Sequence, residues 1–129
     1  SKIELKEKKD RIEDAIYATK AALKEGIVAG GGVALLNAAK KIEPSNDGER
    51  ILLESIRAPY LTVLENAGIE YGGDQFDGYG INVVTGDVVD MVDAGIIDPV
   101  LVTKSALKNA VSVVLTIISA DCVISNMRG

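Results

Sequence analysis

The sequence predicts a mainly helical, all-α fold that carries one small β-hairpin. Two patterns and one bound lead there. Apolar residues recur at helical spacing on both sides of Gly26: Ile12, Ile16, Thr19 and Leu23 before it, Leu35, Ala38, Ala39 and Ile42 after it. One short region breaks that period, with β-branched runs at Ile81–Thr85 and Val88–Val92 around a turn at Thr85–Asp87. The bound is composition. Apolar residues make up 47% of the 129, enough to exclude disorder and bury a moderate core. Aromatics are only 4%, so that core must rest on Ala, Val, Leu and Ile.

Taken in order, Lys2–Glu25 reads as a long charged helix with a narrow apolar stripe, stopped at Gly26. Glu4 to Lys8 and Glu7 to Arg11 are spaced as exposed i,i+4 pairs. A thin stripe suits a helix that lies on a larger body or connects domains. Gly30, Gly31 and Gly32 then form a turn before a second helix, Val33–Ile42, which ends at Pro44 and the Ser45–Gly48 cluster. The next helix, capped by Asp47, should run to about Ala67 with a kink at Pro59 and a stop at Gly68. Ile69–Gly80 mixes four glycines with Asp74 and Asp77 and reads as a loop leading into the hairpin. Asp98-Pro99 has the form of an N-cap followed by proline at the first helical position. The helix it opens is apolar on nearly every face from Val102 to Ile118, the pattern of a helix surrounded by others. Cys122–Ser125 suits a short terminal strand.

Charge and residue counts exclude several function classes. Net charge is −5, from 14 basic and 19 acidic residues, which argues against a broad nucleic-acid surface. There is no histidine, so His-based triads and His-ligated zinc are excluded. Cys122 is the sole cysteine, so no intrachain disulfide is possible and a reducing compartment fits. Ser1–Asp14 is highly charged and carries no signal pattern. Ala110–Ala120, the most apolar run, is shorter than the roughly 20 residues of a membrane span, so no membrane partner is expected.

A few residues could carry chemistry. The glycine turn allows close approach of another molecule, and free N–H groups at a helix mouth suit an anion such as phosphate; it equally suits a plain inter-helix turn. Asp14 reads as a solvated surface charge, or as a carboxylate orienting a water for attack on a phosphoryl group. Asp98 reads as a helix cap, or as an acceptor for ribose hydroxyls, and a carboxylate has acceptor sites for both. Asn82 reads as a turn asparagine, or as an amide reading an adenine edge. The spacing of Asp74, Asp77, Asp87, Asp90 and Asp93 does not match a Ca²⁺-loop pattern, so no protein-only metal site is expected.

Three long stretches, RIEDAIYATKAALKEGIVAGGGVALL at Arg11–Leu36, YGINVVTG at Tyr79–Gly86 and GIIDPVLVTKSALKNA at Gly95–Ala110, resemble the group I chaperonins, the GroEL family. The similarity covers essentially the whole chain. It implies a mostly helical, ATP-hydrolysing protein of equatorial, intermediate and apical domains, assembled into rings of seven. Such rings enclose non-native polypeptide clients beneath a co-chaperonin lid, and the cytoplasm is the implied location. By resemblance, Ser1–Lys24 is the returning leg of the intermediate domain and residues 25–129 are the C-terminal half of the equatorial, ATP-binding domain. Gly30 and Gly31 correspond to glycines beside the nucleotide, and Asp14 to the carboxylate positioning the hydrolytic water. Asn82 and Val83 match adenine-side contacts, Ile96 lines the same base, and Asp98 matches the ribose-binding aspartate. The implied cofactor is ATP or ADP with Mg²⁺.

Two features depart from the family. Val83 and Val84 replace the small alanines that commonly follow the asparagine, and the Gly-rich loop before Tyr79 is shorter. The Asp-Gly-Thr-Thr-Thr phosphate loop, which supplies the magnesium ligand, does not occur in this sequence. The expectation is therefore a piece of a chaperonin subunit, inactive as an ATPase by itself. The alternative is a structural assembly module with no nucleotide affinity of its own.

Overall fold

A computed structural model describes the backbone of residues 1–128 and the side-chain surroundings of residues 1–120. The elements run α1 (Lys2–Glu25), β1 (Ile27–Ala29), α2 (Val33–Lys40), α3 (Asp47–Ser55), α4 (Ala58–Asn66), β2 (Tyr79–Ile81), β3 (Val88–Asp90), β4 (Ile97–Pro99) and α5 (Val100–Arg128). The mainly-α class holds, and so does the hairpin. β2 and β3 pair antiparallel with Gly80 opposite Val89, so the first strand begins two residues earlier than the β-branched run suggested. A second antiparallel pair, β1 with β4, sets Val28 opposite Asp98. Cys122–Ser125 falls within α5 and is helix, where a strand was expected.

α1 opens on a capping box. The Ser1 hydroxyl accepts from the Glu4 N–H at 3.3 Å, while the Glu4 carboxylate takes the Ser1 amino group at 2.9 Å. Glu4 is thereby turned away from Lys8, and the ion pair that forms along the helix is Lys9–Glu13. The predicted stripe is not the packed face. Leu23 is 84% exposed and Ile12 61%, whereas Ala21 is buried where α1 meets α5 and β4. A small residue permits that close approach.

The helix expected from Asp47 to Ala67 is two helices. Asn46, not Asp47, caps α3 by accepting from the Glu49 N–H at 2.9 Å. Pro59 lies in the first turn of α4, where its missing N–H costs nothing, so the chain breaks at Ile56–Arg57 and is not kinked. α4 stops as expected at Gly68. Gly68 N–H donates to Glu65 O and Ile69 N–H to Leu64 O, a Schellman closure.

The core gathers Ala29, Val33, Leu36, Tyr60, Leu64 and Met91, with Ile81 and Ile96 packed at its edge. The loop between α4 and β2 is fastened to this body by charge. Asp74 receives Arg57, Lys40 and the Tyr71 hydroxyl, and Asp77 pairs with Lys41.

α5 overturns one expectation. Its apolar residues are bare: Leu115 is 59% exposed, Ile117 62% and Ile118 55%. Among the described residues α1 and β4 make the main contacts with it, near its start. The stretch Val100–Ala120 has a mean hydropathy of 1.5 and is long and apolar enough to cross a membrane by length and composition. Near its start Lys104 pairs with Glu25 of α1 at 3.0 Å.

Candidate functional site

The β1–β4 pairing builds the site. It carries the chain from Ala29 into the glycine turn directly beside Ile96, and Gly30 N–H donates to Ile96 O at 2.9 Å. Gly30 is buried, and a Cβ there would stand 3.0 Å from the Ile96 carbonyl carbon and the Ile97 nitrogen. A side chain there would press the two backbones apart by a few tenths of an ångström. Gly31 turns left-handed at φ +64, and its added Cβ would reach 3.4 Å from the end of Met91. Thus Gly30, Gly31 and Ile96, singled out separately in the sequence, are brought together.

This geometry corrects the anion reading in one respect. The Gly30 N–H is already committed to Ile96, so it is not free for a phosphate. The Gly31 and Gly32 N–H groups donate no hydrogen bond among the described residues.

Asp98 is not a helix cap. It sits in β4, half-buried, two residues before α5, and the first N–H of α5 at Val100 donates instead to Gly26 O at 3.1 Å. The Asp98 carboxylate itself makes no hydrogen bond or ion pair among the described residues. It retains every acceptor site for a ligand.

Asn82 follows β2 and folds the hairpin turn. Its side-chain oxygen accepts from the Val84 N–H at 3.0 Å, and its carbonyl accepts from Gly86 N–H at 2.7 Å and Thr85 N–H at 3.2 Å. The turn reading is therefore realised, while the side-chain NH₂ is not engaged among the described residues. Val83 is 39% exposed and Val84 90%, so both valines project toward solvent.

Asp14 stands apart. It is exposed on α1, twelve residues before Gly26, which is about 18 Å of helix rise. Among the described residues no hydrogen bond or ion pair engages it, and nothing brings it to the glycine turn.

Gly30, Gly31, Asn82, Ile96, Asp98 and Asp14 do not line a common cavity. A groove of about 540 Å³ lies elsewhere, between α1 and α5, floored by Tyr17, Ala21, Leu101 and Ala106. What the fold offers is an open, half-built site: an unengaged carboxylate on β4, unengaged N–H groups in the glycine turn and, on the separate β2–β3 hairpin, the Asn82 amide donor.

Sequence reasoning missed two glycines here. A Cβ on Gly32 (φ +86) would fall 2.6 Å from the Tyr60 nitrogen, and one on Gly80 would fall 2.6 Å from a Val33 methyl. Tyr60 was also missed. The isolated Gly80 inside a strand pattern was the available signal of close approach. The chain matches the TCP-1/cpn60 chaperonin family over residues 1–128, and it belongs to that family.

Proposed function

We propose that this chain serves an ATP-dependent chaperonin of group I type, supplying one side of the nucleotide pocket and part of the ring scaffold. Family membership supports a role in protein folding, with oligomeric rings and polypeptide clients in general. The finer reading adds rings of seven, a co-chaperonin lid and a cytoplasmic setting. One observation carries the nucleotide assignment: Gly30 lies against Ile96 while Asp98, on the same strand pair, keeps a carboxylate that no group among the described residues engages.

In this reading the Asp98 carboxylate accepts from the ribose hydroxyls, and the Asn82 NH₂ donates to a ring nitrogen of adenine. Ile96 offers an apolar edge to the base, and Gly31 lets the backbone come close. Bound Mg·ATP supplies the transferable phosphoryl group and a cation that neutralises its charge. Asp14 orients the attacking water in the intact assembly. The sequence holds no Asp-Gly-Thr-Thr-Thr motif to stabilise the transferring charge, so the chain by itself binds without turnover. α5 presents its exposed apolar residues to other protein of the ring.

Calorimetric titration with Mg·ATP tests this. Saturable binding is expected, weakened roughly 10- to 100-fold by Asp98→Ala, as fits the loss of hydrogen bonds to a charged acceptor. Asp93→Ala, at an exposed turn position, should leave the affinity unchanged. Absence of heat from the unmodified chain, or equal effects of the two substitutions, would overturn the assignment.

A further inference from the structure

We propose that Tyr60 is a positioning residue that sets the Asn82 turn at a fixed place relative to the glycine turn. The inference rests on the nucleotide reading for its consequence, though not for its geometry. The two turns lie about fifty residues apart in sequence, and the residues between them meet through the core. Tyr60 is 2% exposed and touches both sides. Its backbone backs onto Gly32, where no Cβ would fit, and its hydroxyl accepts the Ile81 N–H at 3.1 Å.

The pairing pattern explains why that hydroxyl is needed. Asn82 N–H donates across the hairpin to Asp87 O at 2.9 Å. In an antiparallel pair successive N–H groups face opposite edges, so the Ile81 N–H points away from β3. Tyr60 meets it there. On the β3 side the hairpin is tied to the glycine turn by backbone, since Ile96 N–H donates to Met91 O at 2.8 Å and Gly30 N–H to Ile96 O at 2.9 Å. On the β2 side the remaining joins are apolar: Gly80 against Val33 and Met91, and Gly31 near the end of Met91. Apolar contact is non-directional and tolerates sliding, whereas a hydrogen bond fixes distance and angle. The Tyr60 hydroxyl is thus the directional side-chain link that holds β2, the strand leading into Asn82. Asn82 is the next residue after Ile81, and its turn is closed on itself by five hydrogen bonds. A shift at Ile81 therefore carries the whole turn, and with it the amide facing the base.

Tyr60→Phe keeps the ring and removes the hydroxyl. Residue-resolved amide exchange should show protection at Ile81 falling about tenfold more than at Leu64 or Gly30, the size of one lost hydrogen bond. Tyr71→Phe removes a hydroxyl that bonds Asp74 and Arg57 but not the hairpin, and should leave Ile81 unchanged. The preference for ATP over GTP should fall in Tyr60→Phe and persist in Tyr71→Phe. Uniform loss of protection across the core, or no change at Ile81, would overturn the positioning role. If the unmodified chain binds neither nucleotide, the nucleotide reading and the base-selecting consequence both fall. The exchange pattern still decides the positioning role.

Discussion

Gly32→Ala is expected to destabilise the fold by about 2–5 kcal/mol, a large share of what a domain of this size holds. Two costs combine. Gly32 is left-handed at φ +86 and ψ −1, which an L side chain adopts at a cost of about 1–2 kcal/mol. The new Cβ would also sit 2.6 Å from the Tyr60 nitrogen and 3.0 Å from its Cα. Those are backbone atoms of α4, which cannot rotate aside, so α2 and α4 must separate. Overpacking of that kind adds about 1–3 kcal/mol. Gly68→Ala isolates the first cost: its φ is +69, yet nothing lies within 4 Å of its Cβ position. Urea denaturation should show a small loss for Gly68→Ala and a much larger one for Gly32→Ala. Equal losses would mean that the α2–α4 contact is not tight.

The second large effect concerns association. Val113, Val114, Leu115, Ile117 and Ile118 are each more than half exposed on α5, and together they form a contiguous apolar surface. The chain by itself should therefore self-associate in water. Sedimentation equilibrium is expected to give masses above 13.6 kDa that rise with concentration. Val114→Glu with Ile118→Glu should return the mass toward the monomer while helical circular dichroism is kept. A monomer throughout, before any substitution, would mean that α5 folds back to cover itself.

The helices were legible because their periodicity is local, and so was the hairpin with its turn. What the sequence hid is long-range. β1 is three residues between glycines, too short for any alternation to register. β4 was concealed by Asp98-Pro99, a sound cap pattern that lost its purpose once Gly26 O took the Val100 N–H. Pro59 was read as a kink because the break at Ile56–Arg57 carries no glycine to announce it. α5 was read as buried because its composition demands cover, but composition does not say which chain segment provides it. At the candidate site the residue types suggested individual chemistries, while their grouping around nucleotide came through family resemblance. The Gly30–Ile96 contact was not readable at all, since it depends on a strand pair that no local pattern encodes. Tyr60 looked like an ordinary core aromatic.

The antiparallel pair that joins Val28 to Asp98 has a kinetic consequence. It closes a loop of about seventy residues, which costs chain entropy before any contact repays it. α2, α4 and the hairpin can each form early from near neighbours, but Gly30 meets Ile96 only when the two ends of that span come together. Assembly of the candidate pocket is thus a late event in folding. A ligand held there would act as a clasp on the closed chain, slowing its reopening and drawing partly folded molecules toward the native state.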